Sequence, residues 1–570
     1  MTSDNSNKKQ PLRRGKACLN CRHLKIRCDG TRPVCGPCQR VPKDDPCEFT
    51  DTTSRTQELE HAVFRLQSRI NELEGASGSS NYGFPYDSQH ASARASPFSS
   101  PGSQSSPSED SSFLGFQEPP LVMIQTISPL TADVSAWTIS FRTHLNSVFF
   151  LHPTRFRDAT LLPLPFGDER RPSPALLSAA YLWGVHLSRV QPFLAAEPVF
   201  LKRAQQHIST EISAHTPPSH VLHTIQAQVL LATYLFRNKR FLEAEFHANG
   251  AATLVLGYQL HKIRSSRPME PPLLGVPVLL EIYPAPPKDS VEEGERIRGF
   301  WAVTCLQSNL NIALNSTSGS CVLESPGADI DTPWPLELAD YEAGLLPPDY
   351  RGQESIRHFL TDDPLPASPV CMLHAKASVL LYRATRLGSN WKPNLRPQEL
   401  ASYTASYGWL DRRLTQFWET LPPIYAFYAD AAAARTLVVA HALTAAAAIK
   451  LHRSPGAADP EAQRKCVFAA RAILECLGDT RVVDFVVAHP IVGSLGSLAC
   501  GVLMEEVRRA REFRAGWAAS LGGPVAPPSA EEGALVRDLR AGMQTMGMHA
   551  GGSPLIEYQL KKLQQQYEAM

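Results

Sequence analysis

Residues 16–47 read KACLNCRHLKIRCDGTRPVCGPCQRVPKDDPC, a stretch with six cysteines: Cys18, Cys21, Cys28, Cys35, Cys38 and Cys47. A structural zinc ion is held by four ligands in a tetrahedron and readily takes cysteine thiolates. Two zinc ions therefore need eight ligand positions, which six sulfurs supply only if two of them bridge both metals. The stretch also repeats itself, since each half consists of a CxxC followed by a more distant cysteine. The spacing predicts two zinc ions per chain, held by two half-units around a shared cluster.

The other cysteines of the chain are scattered singly, in mostly apolar surroundings, and are expected to be buried free thiols. The first residues are polar and basic and do not resemble a signal peptide. The most apolar run, 436–449, is too short to span a bilayer. We therefore expect an intracellular protein without membrane contact, in a reducing compartment where dense cysteines favour a metal over disulfides.

Positive charge is concentrated at the start of the chain. Residues 1–50 contain eleven Lys and Arg against five Asp and Glu, whereas the whole chain has a net charge of +1. A basic head on a mildly acidic body indicates a localised contact with a polyanion. Residues 1–17 are predicted to be a disordered basic leader that adds phosphate contacts, is read by nuclear import machinery, or does both.

The segment between the second and third cysteines, RHLKIR at 22–27, is predicted to form a short helix that projects basic side chains outward. Lys25 is the residue best placed to reach base edges, because a lysine in the major groove donates to guanine O6 and N7. Other basic side chains of the head are expected to contact phosphates, namely Arg14, Lys16, Arg22 and Arg27. The alternative is a zinc module that only stabilises a fold or binds protein.

A short heptad pattern follows the cysteine module (18–47) and a linker at 48–55. It covers 56–74, with leucine at d and β-branched residues at a: Leu59, Val63, Leu66, Ile70 and Leu73. This choice favours a parallel two-stranded coiled coil, so we expect a homodimer. A single amphipathic helix packed on its own chain remains the alternative.

The rest of the chain divides into a tether and a body. Residues 75–120 are rich in Ser and Pro and are predicted to be disordered, whereas 121–570 show helical periodicity and almost no strand alternation. The predicted fold class is mainly α, with a small cluster domain and a large all-helical regulatory domain. The helices of the body are expected at 174–188, 198–212, 223–236, 241–261, 295–314, 368–387, 397–420, 436–452, 462–477, 482–507, 530–546 and 554–567.

The pattern CRHLKIRCDGxRPxCxxC resembles the fungal Zn2Cys6 binuclear cluster transcription factors, and all six ligand positions match. Arg22, Asp29 and Pro33 fall at familiar positions, while Leu24 stands where many members carry a second basic residue. The resemblance implies that Cys18 and Cys35 bridge the zinc ions and that Lys25 reads a CGG-like triplet in double-stranded DNA. It also implies a nuclear regulator of transcription by RNA polymerase II.

The body resembles the middle homology region of the same family over about 135–350. Three segments carry this similarity: the helix at 241–261, the ERxxxFW pattern that starts at Glu295, and the DIDxP turn that starts at Asp329. The resemblance implies an all-helical regulatory domain that senses a small-molecule effector or holds partners such as the transcription machinery.

The leading hypothesis is thus a dimeric, sequence-specific transcription factor. HExxH, GxSxG, P-loop and dinucleotide-binding patterns are missing where structural context would support them, so no enzyme is expected. One alternative is a metabolite-sensing, ligand-binding protein whose zinc module serves mainly structural or partner contacts. Another is a metal-storage or redox module.

Overall fold

The computed structural model describes residues 18, 21, 26–40, 47, 148–188, 195–213, 218–267, 285–314, 321–324, 329–361, 368–454, 459–479, 489–551 and 553–570. Contacts divide the chain into two units, 1–111 and 112–570. The predicted leader (1–17), linker (48–55), coiled coil (56–74) and Ser/Pro-rich tether (75–120) lie outside the described residues.

The first unit has a core made of cysteine. Its buried side chains are those of Cys18, Cys21, Cys28, Cys35 and Cys38, and the partly buried Cys47 packs against them. One short helix, α1 (Gly36–Arg40), begins inside the second CxxC. The described residues of this unit bury too little apolar surface to fold on hydrophobic burial alone, so their fold depends on what the sulfurs bind.

The body is helical throughout its described residues, which form no β-strand and only an isolated bridge between Ser265 and Gly352. Its helices follow one another along the chain: α2 (Pro153–Thr160), α3 (Pro174–Ser188), α4 (Glu197–Ser213), α5 (Pro218–Arg237), α6 (Phe241–Gly257), α7 (Ser290–Leu314), α8 (Leu338–Glu342), α9 (Ser355–Leu360), α10 (Val370–Ser389), α11 (Pro397–Thr420), α12 (Ala431–His452), α13 (Pro460–Leu477), α14 (Ile491–Leu521), α15 (Ala530–Ala550) and α16 (Pro554–Glu568). The predicted all-α body is confirmed.

Local signals in the sequence explain where these helices begin. Proline, which has no N–H and a helical φ, occupies the first position of α11, α13 and α16. The Asp430 carboxylate caps α12 by accepting from the N–H groups of Ala432 (3.0 Å) and Ala433 (3.1 Å). Asp459 caps α13 in the same way through Glu461 (2.9 Å). Such caps satisfy the N–H groups that a helix leaves free at its start.

Several predicted helix limits differ from the observed ones. The predicted helix at 241–261 ends at Gly257 and continues as a separate 3-10 turn, Leu260–Lys262. The intervening Gln259 has a φ of +57°, which breaks the helix. The helix α7 begins at Ser290 rather than at 295, because Asp289 accepts the N–H of Glu292 (2.8 Å) and starts it earlier.

The helices α10 and α12 form the centre of the body. Alanines let α12 approach its neighbours closely, and Gly388 of α10 faces the backbone of Lys450 on α12. A Cβ at Gly388 would lie 2.2 Å from the Lys450 carbonyl oxygen, so this position requires glycine. Among the other long helices, α7 packs on α10, α13 and α14 pack on α12, and α11 contacts both.

The helix α12 is longer than its apolar run. By length and composition this helix alone, among the described residues, could cross a membrane, with a mean hydropathy of 1.5 in its most apolar window. However, 78% of that window is buried inside the body. A helix that is apolar on every side fits the centre of a large helical core, which is the position that α12 occupies.

Candidate metal centre

The six cysteines of the first unit converge into two groups of four sulfur atoms. One group contains Cys18, Cys21, Cys28 and Cys35, and the other contains Cys18, Cys35, Cys38 and Cys47. Within each group all sulfurs lie within 4.8 Å of one another. Because Cys18 and Cys35 belong to both groups, six sulfurs provide two complete sets of four.

The distances between these sulfurs fit tetrahedral zinc. A Zn–S bond of about 2.3 Å places neighbouring sulfurs of a tetrahedron about 3.8 Å apart. The Sγ of Cys18 lies 3.5 Å from that of Cys35 and 3.8 Å from that of Cys38, and the Sγ atoms of Cys21 and Cys35 are 3.6 Å apart. The domain binds two zinc ions, and thiolates are suitable ligands for both.

Backbone N–H groups support the sulfurs. The N–H of Cys21 donates to Cys18 Sγ (3.4 Å), and the N–H of Cys35 donates to Cys47 Sγ (3.4 Å). Such contacts orient metal ligands and stabilise thiolate charge. Burial opposes ionisation of the Cys18 thiol, but hydrogen bonds from the Cys21 N–H and from neighbouring thiols lower its pKa to about 6. Burial raises the pKa of Cys21 to about 12, so zinc must displace a proton there.

Asp29 fastens the two half-units of the cluster together. Its Oδ1 and Oδ2 accept from the N–H of Gly36 at 3.0 and 3.1 Å, and Oδ1 also accepts from the N–H of Thr31 at 3.3 Å. The Gly36 N–H is the main reason why the pKa of Asp29 lies below its usual range. A Cβ on Gly36 would lie 2.3 Å from Asp29 Oδ2, so only glycine leaves room for this contact. Sequence reasoning noted Asp29 only by position and missed Gly36, although a glycine inside a CxxC was the available signal.

Few of the predicted DNA-contacting residues fall within the described part of the chain. Arg27 is described and exposed, next to Ile26, whose side chain is 47% exposed. The N–H of Ile26 donates to the Cys21 carbonyl (3.0 Å). Lys25, Arg22, Lys16 and Arg14 lie outside the described residues, as do all five predicted dimerisation residues (Leu59, Val63, Leu66, Ile70 and Leu73).

In the body, two of the segments that resemble the middle homology region meet at a buried carboxylate. Asp331 is fully buried and accepts from Ser265 Oγ (2.6 Å), from Lys262 Nζ (3.3 Å) and from a backbone N–H of the α9 entry (2.8 Å). Its own N–H donates to the carbonyl of His261 (2.9 Å). The 3-10 turn that follows α6, Leu260–Lys262, is thus tied to the DIDxP turn.

The third segment, ERxxxFW, joins the same assembly. Trp301 Nε1 donates to the Pro333 carbonyl at 2.7 Å. Glu295 accepts from the backbone N–H of His152 (2.7 Å), and Arg296 donates to the Ala285 carbonyl (2.7 Å). These residues hold neighbouring segments onto α7, so their role in the structure is to fix the frame of the body.

Comparison with known proteins finds a family that matches the cysteine module and relatives that are similar over longer parts of the chain. The family described as "Fungal Zn(2)-Cys(6) binuclear cluster domain" matches residues 16–56. Two relatives are similar over most of the chain: a citrinin biosynthesis transcriptional activator of Monascus purpureus (23% identical, 85% of each chain) and one of Monascus ruber (24% identical, 84% of this chain and 96% of the relative).

A third similarity is local, to transcriptional activator protein acu-15 of Neurospora crassa (42% identical over 65 residues, 10% of this chain and 7% of the relative). No solved structure matches. The matched model and the paired sulfur groups show that residues 16–56 form a fungal Zn2Cys6 binuclear cluster domain, in a chain that is similar over most of its length to transcriptional activators.

Proposed function

We propose that this protein is a nuclear regulator of RNA polymerase II transcription that binds paired CGG-like triplets in duplex DNA as a homodimer. The observation that carries the proposal is the pair of sulfur groups that share Cys18 and Cys35. Such a cluster replaces a hydrophobic core and gives a small module the rigidity that base recognition requires. Because three relatives are named as transcriptional activators, we propose that this chain also activates transcription.

In this proposal the cysteines and the basic residues have separate roles. Cys18 and Cys35, which belong to both sulfur groups, would be shared by the two zinc ions, and each of the other four cysteines would hold one ion. Lys25 donates to guanine in the major groove, while Arg14, Lys16, Arg22 and Arg27 bind phosphates. The exposure of Arg27 supports a phosphate role, since this side chain is free to follow the DNA backbone.

The heptads would set the geometry of the complex. A coiled coil through Leu59, Val63, Leu66, Ile70 and Leu73 brings two cluster domains together, and the linker at 48–55 then limits the spacing between triplets. Replacing Leu66 with Glu is expected to separate the dimer, so that binding to a two-triplet duplex falls to that of a one-triplet duplex. Analytical ultracentrifugation and gel shifts on the two duplexes measure this directly.

The base-reading role is tested with full-length protein on a paired-CGG duplex and on a scrambled duplex of equal length. Lys25→Ala is expected to weaken specific binding by about 1–3 kcal/mol and to leave scrambled binding nearly unchanged. Arg27→Ala should weaken binding to both duplexes alike and reduce the slope of log K against log salt by about one. Arg412→Ala, exposed on α11 in the body, is the control for an equal change of charge.

Equal losses on the two duplexes for Lys25→Ala would exclude this residue as a base contact. If wild-type protein did not distinguish the two duplexes at any salt concentration, the proposed triplet specificity would be wrong. Selection of bound sequences from random duplex DNA by the full-length chain would then identify the true site.

A further inference from the structure

The body contains a large cavity that no known role of the protein uses. It has a volume of about 910 Å³ and lies between α7, α8 and the first turns of α10 and α12. Pockets for small organic molecules usually measure about 300–1,000 Å³. One wall is a single face of α7, formed by Arg298, Trp301, Ala302 and Cys305. Residues at this spacing lie above one another on a helix, so they present a continuous apolar wall with a cation at one end.

That cation has few partners. The Arg298 side chain is 8% exposed, and its ion-pair partner is the Glu337 carboxylate at 3.6 Å. This distance is too long for a hydrogen bond. No side chain or carbonyl in the described part of the chain accepts a hydrogen bond from the Arg298 side chain. A guanidinium carries five N–H donors and loses free energy when it is buried without acceptors, so Arg298 is suited to a ligand that brings them.

A second under-partnered group lines the same cavity. His374 of α10 is 6% exposed, and its Nε2 is buried without a hydrogen-bond partner among the described residues. Burial lowers the pKa of this imidazole to about 4, so it is neutral at physiological pH. A neutral imidazole has one N–H to donate and one nitrogen to accept.

The acidic groups of the cavity, in contrast, are already engaged. Glu342 pairs with His152 at 2.8 Å, and Asp340 accepts from the N–H of Glu337 at 3.1 Å. The Glu337 carboxylate itself accepts from the N–H of Cys371 at 3.2 Å. Asp430 caps α12 as described above. The free hydrogen-bonding capacity of the cavity therefore consists mainly of donors, which selects a ligand with acceptor oxygens.

We propose that this cavity is a binding site for a small aromatic carboxylic acid. The carboxylate accepts from the Arg298 guanidinium, whose planar fork matches two oxygens, and the aromatic ring lies against Trp301 and the apolar face of α7. His374 is available to a second oxygen of the ligand. The residues that line the site all belong to the unit 112–570.

Calorimetric titration of the full-length protein with 2-naphthoate and with the neutral 2-naphthamide tests this site. The acid is expected to bind saturably and at least about tenfold more tightly than the amide, because hydrogen bonds to a charged acceptor are the stronger ones. Arg298→Met should weaken binding of the acid by roughly 10–100-fold and leave binding of the amide almost unchanged. Ala302→Leu places a larger side chain in the cavity and should therefore weaken binding of both ligands.

Ala313→Leu is the matched control, because Ala313 lies on the same helix but does not line the cavity. The proposal is overturned if 2-naphthoate shows no saturable binding, if acid and amide bind equally, or if Arg298→Met binds the acid like wild type. If circular dichroism shows that Arg298→Met does not fold, the comparison of ligand binding by Ala302→Leu and Ala313→Leu tests the proposal instead. Equal losses in these two variants would also overturn the proposal.

Discussion

Removing one cysteine at a time distinguishes a shared cluster from two separate zinc sites. Cys35 belongs to both sulfur groups, whereas Cys28 belongs to one. A structural zinc site contributes about 10–16 kcal/mol from four ligands, so each sulfur contributes about 3–4 kcal/mol, or roughly a 100- to 1,000-fold change in zinc affinity. Cys28→Ala leaves one group of four intact and should retain about one tightly bound zinc. Cys35→Ala leaves three sulfurs in each group and should retain none under competition.

Native mass spectrometry of the full-length protein, with a chelator added in steps, measures these stoichiometries. Wild type and the control Cys476→Ala, a partly buried thiol of the body, should both hold two zinc ions. Equal zinc loss in Cys28→Ala and Cys35→Ala would refute the shared-sulfur reasoning. Retention of one tightly bound zinc by Cys35→Ala would refute it as well, because that result requires a set of four ligands without this residue.

Three further outcomes follow from contacts described above. Gly36→Ala pushes its Cβ against the Asp29 carboxylate, so zinc transfer to a chelator should become roughly tenfold faster, as for other residues that support metal ligands. Gly388→Ala should lower the free energy of unfolding by about 1–3 kcal/mol, whereas Gly408→Ala, in open space on α11, should raise it by about 0.5–1 kcal/mol, both measured in urea. Burial raises the pKa of Glu295 to about 7, above the value near 4.3 of an unfolded glutamate, so the native state binds the extra proton between these values. Stability should therefore fall by about 3–4 kcal/mol as pH rises through this window, and Glu295→Gln should remove that slope.

The two sulfur groups could be predicted from the sequence because their rules are local and countable. Ligand number, the four-coordinate preference of zinc and cysteine spacing together predicted two groups with two shared sulfurs. The family resemblance implied that the shared residues are Cys18 and Cys35, and these two belong to both groups in the structure. Helix starts were also predicted correctly at Pro397 and Pro554, where a proline marks the first helical position. In each case a few neighbouring residues contain the whole signal.

Helix limits were less predictable where part of a helix does not show the apolar pattern of a buried face. Among the described residues, the helix predicted at 482–507 begins at Ile491, directly after Pro490, and continues to Leu521 as α14. Beyond 507 the apolar residues Phe513, Trp517 and Leu521 recur at helical spacing, but they are exposed and do not face the core. The helix predicted at 436–452 missed the first turn of α12, where four alanines follow Asp430. Alanine forms helix well but contributes little to an amphipathic pattern, so the cap was the better signal.

The cavity could not be predicted, and the reason lies in what defines it. Arg298 and His374 are each ordinary in the sequence, and they become candidates only because the fold buries both and supplies too few partners. The segments that resemble the middle homology region surround Asp331 and fix the frame instead. Trp301 belongs to both sets, since its indole N–H binds the Pro333 carbonyl while the residue also lines the cavity. A ligand that presses on this ring would therefore act directly on the frame of the body, which gives the cavity a physical route to the rest of the domain.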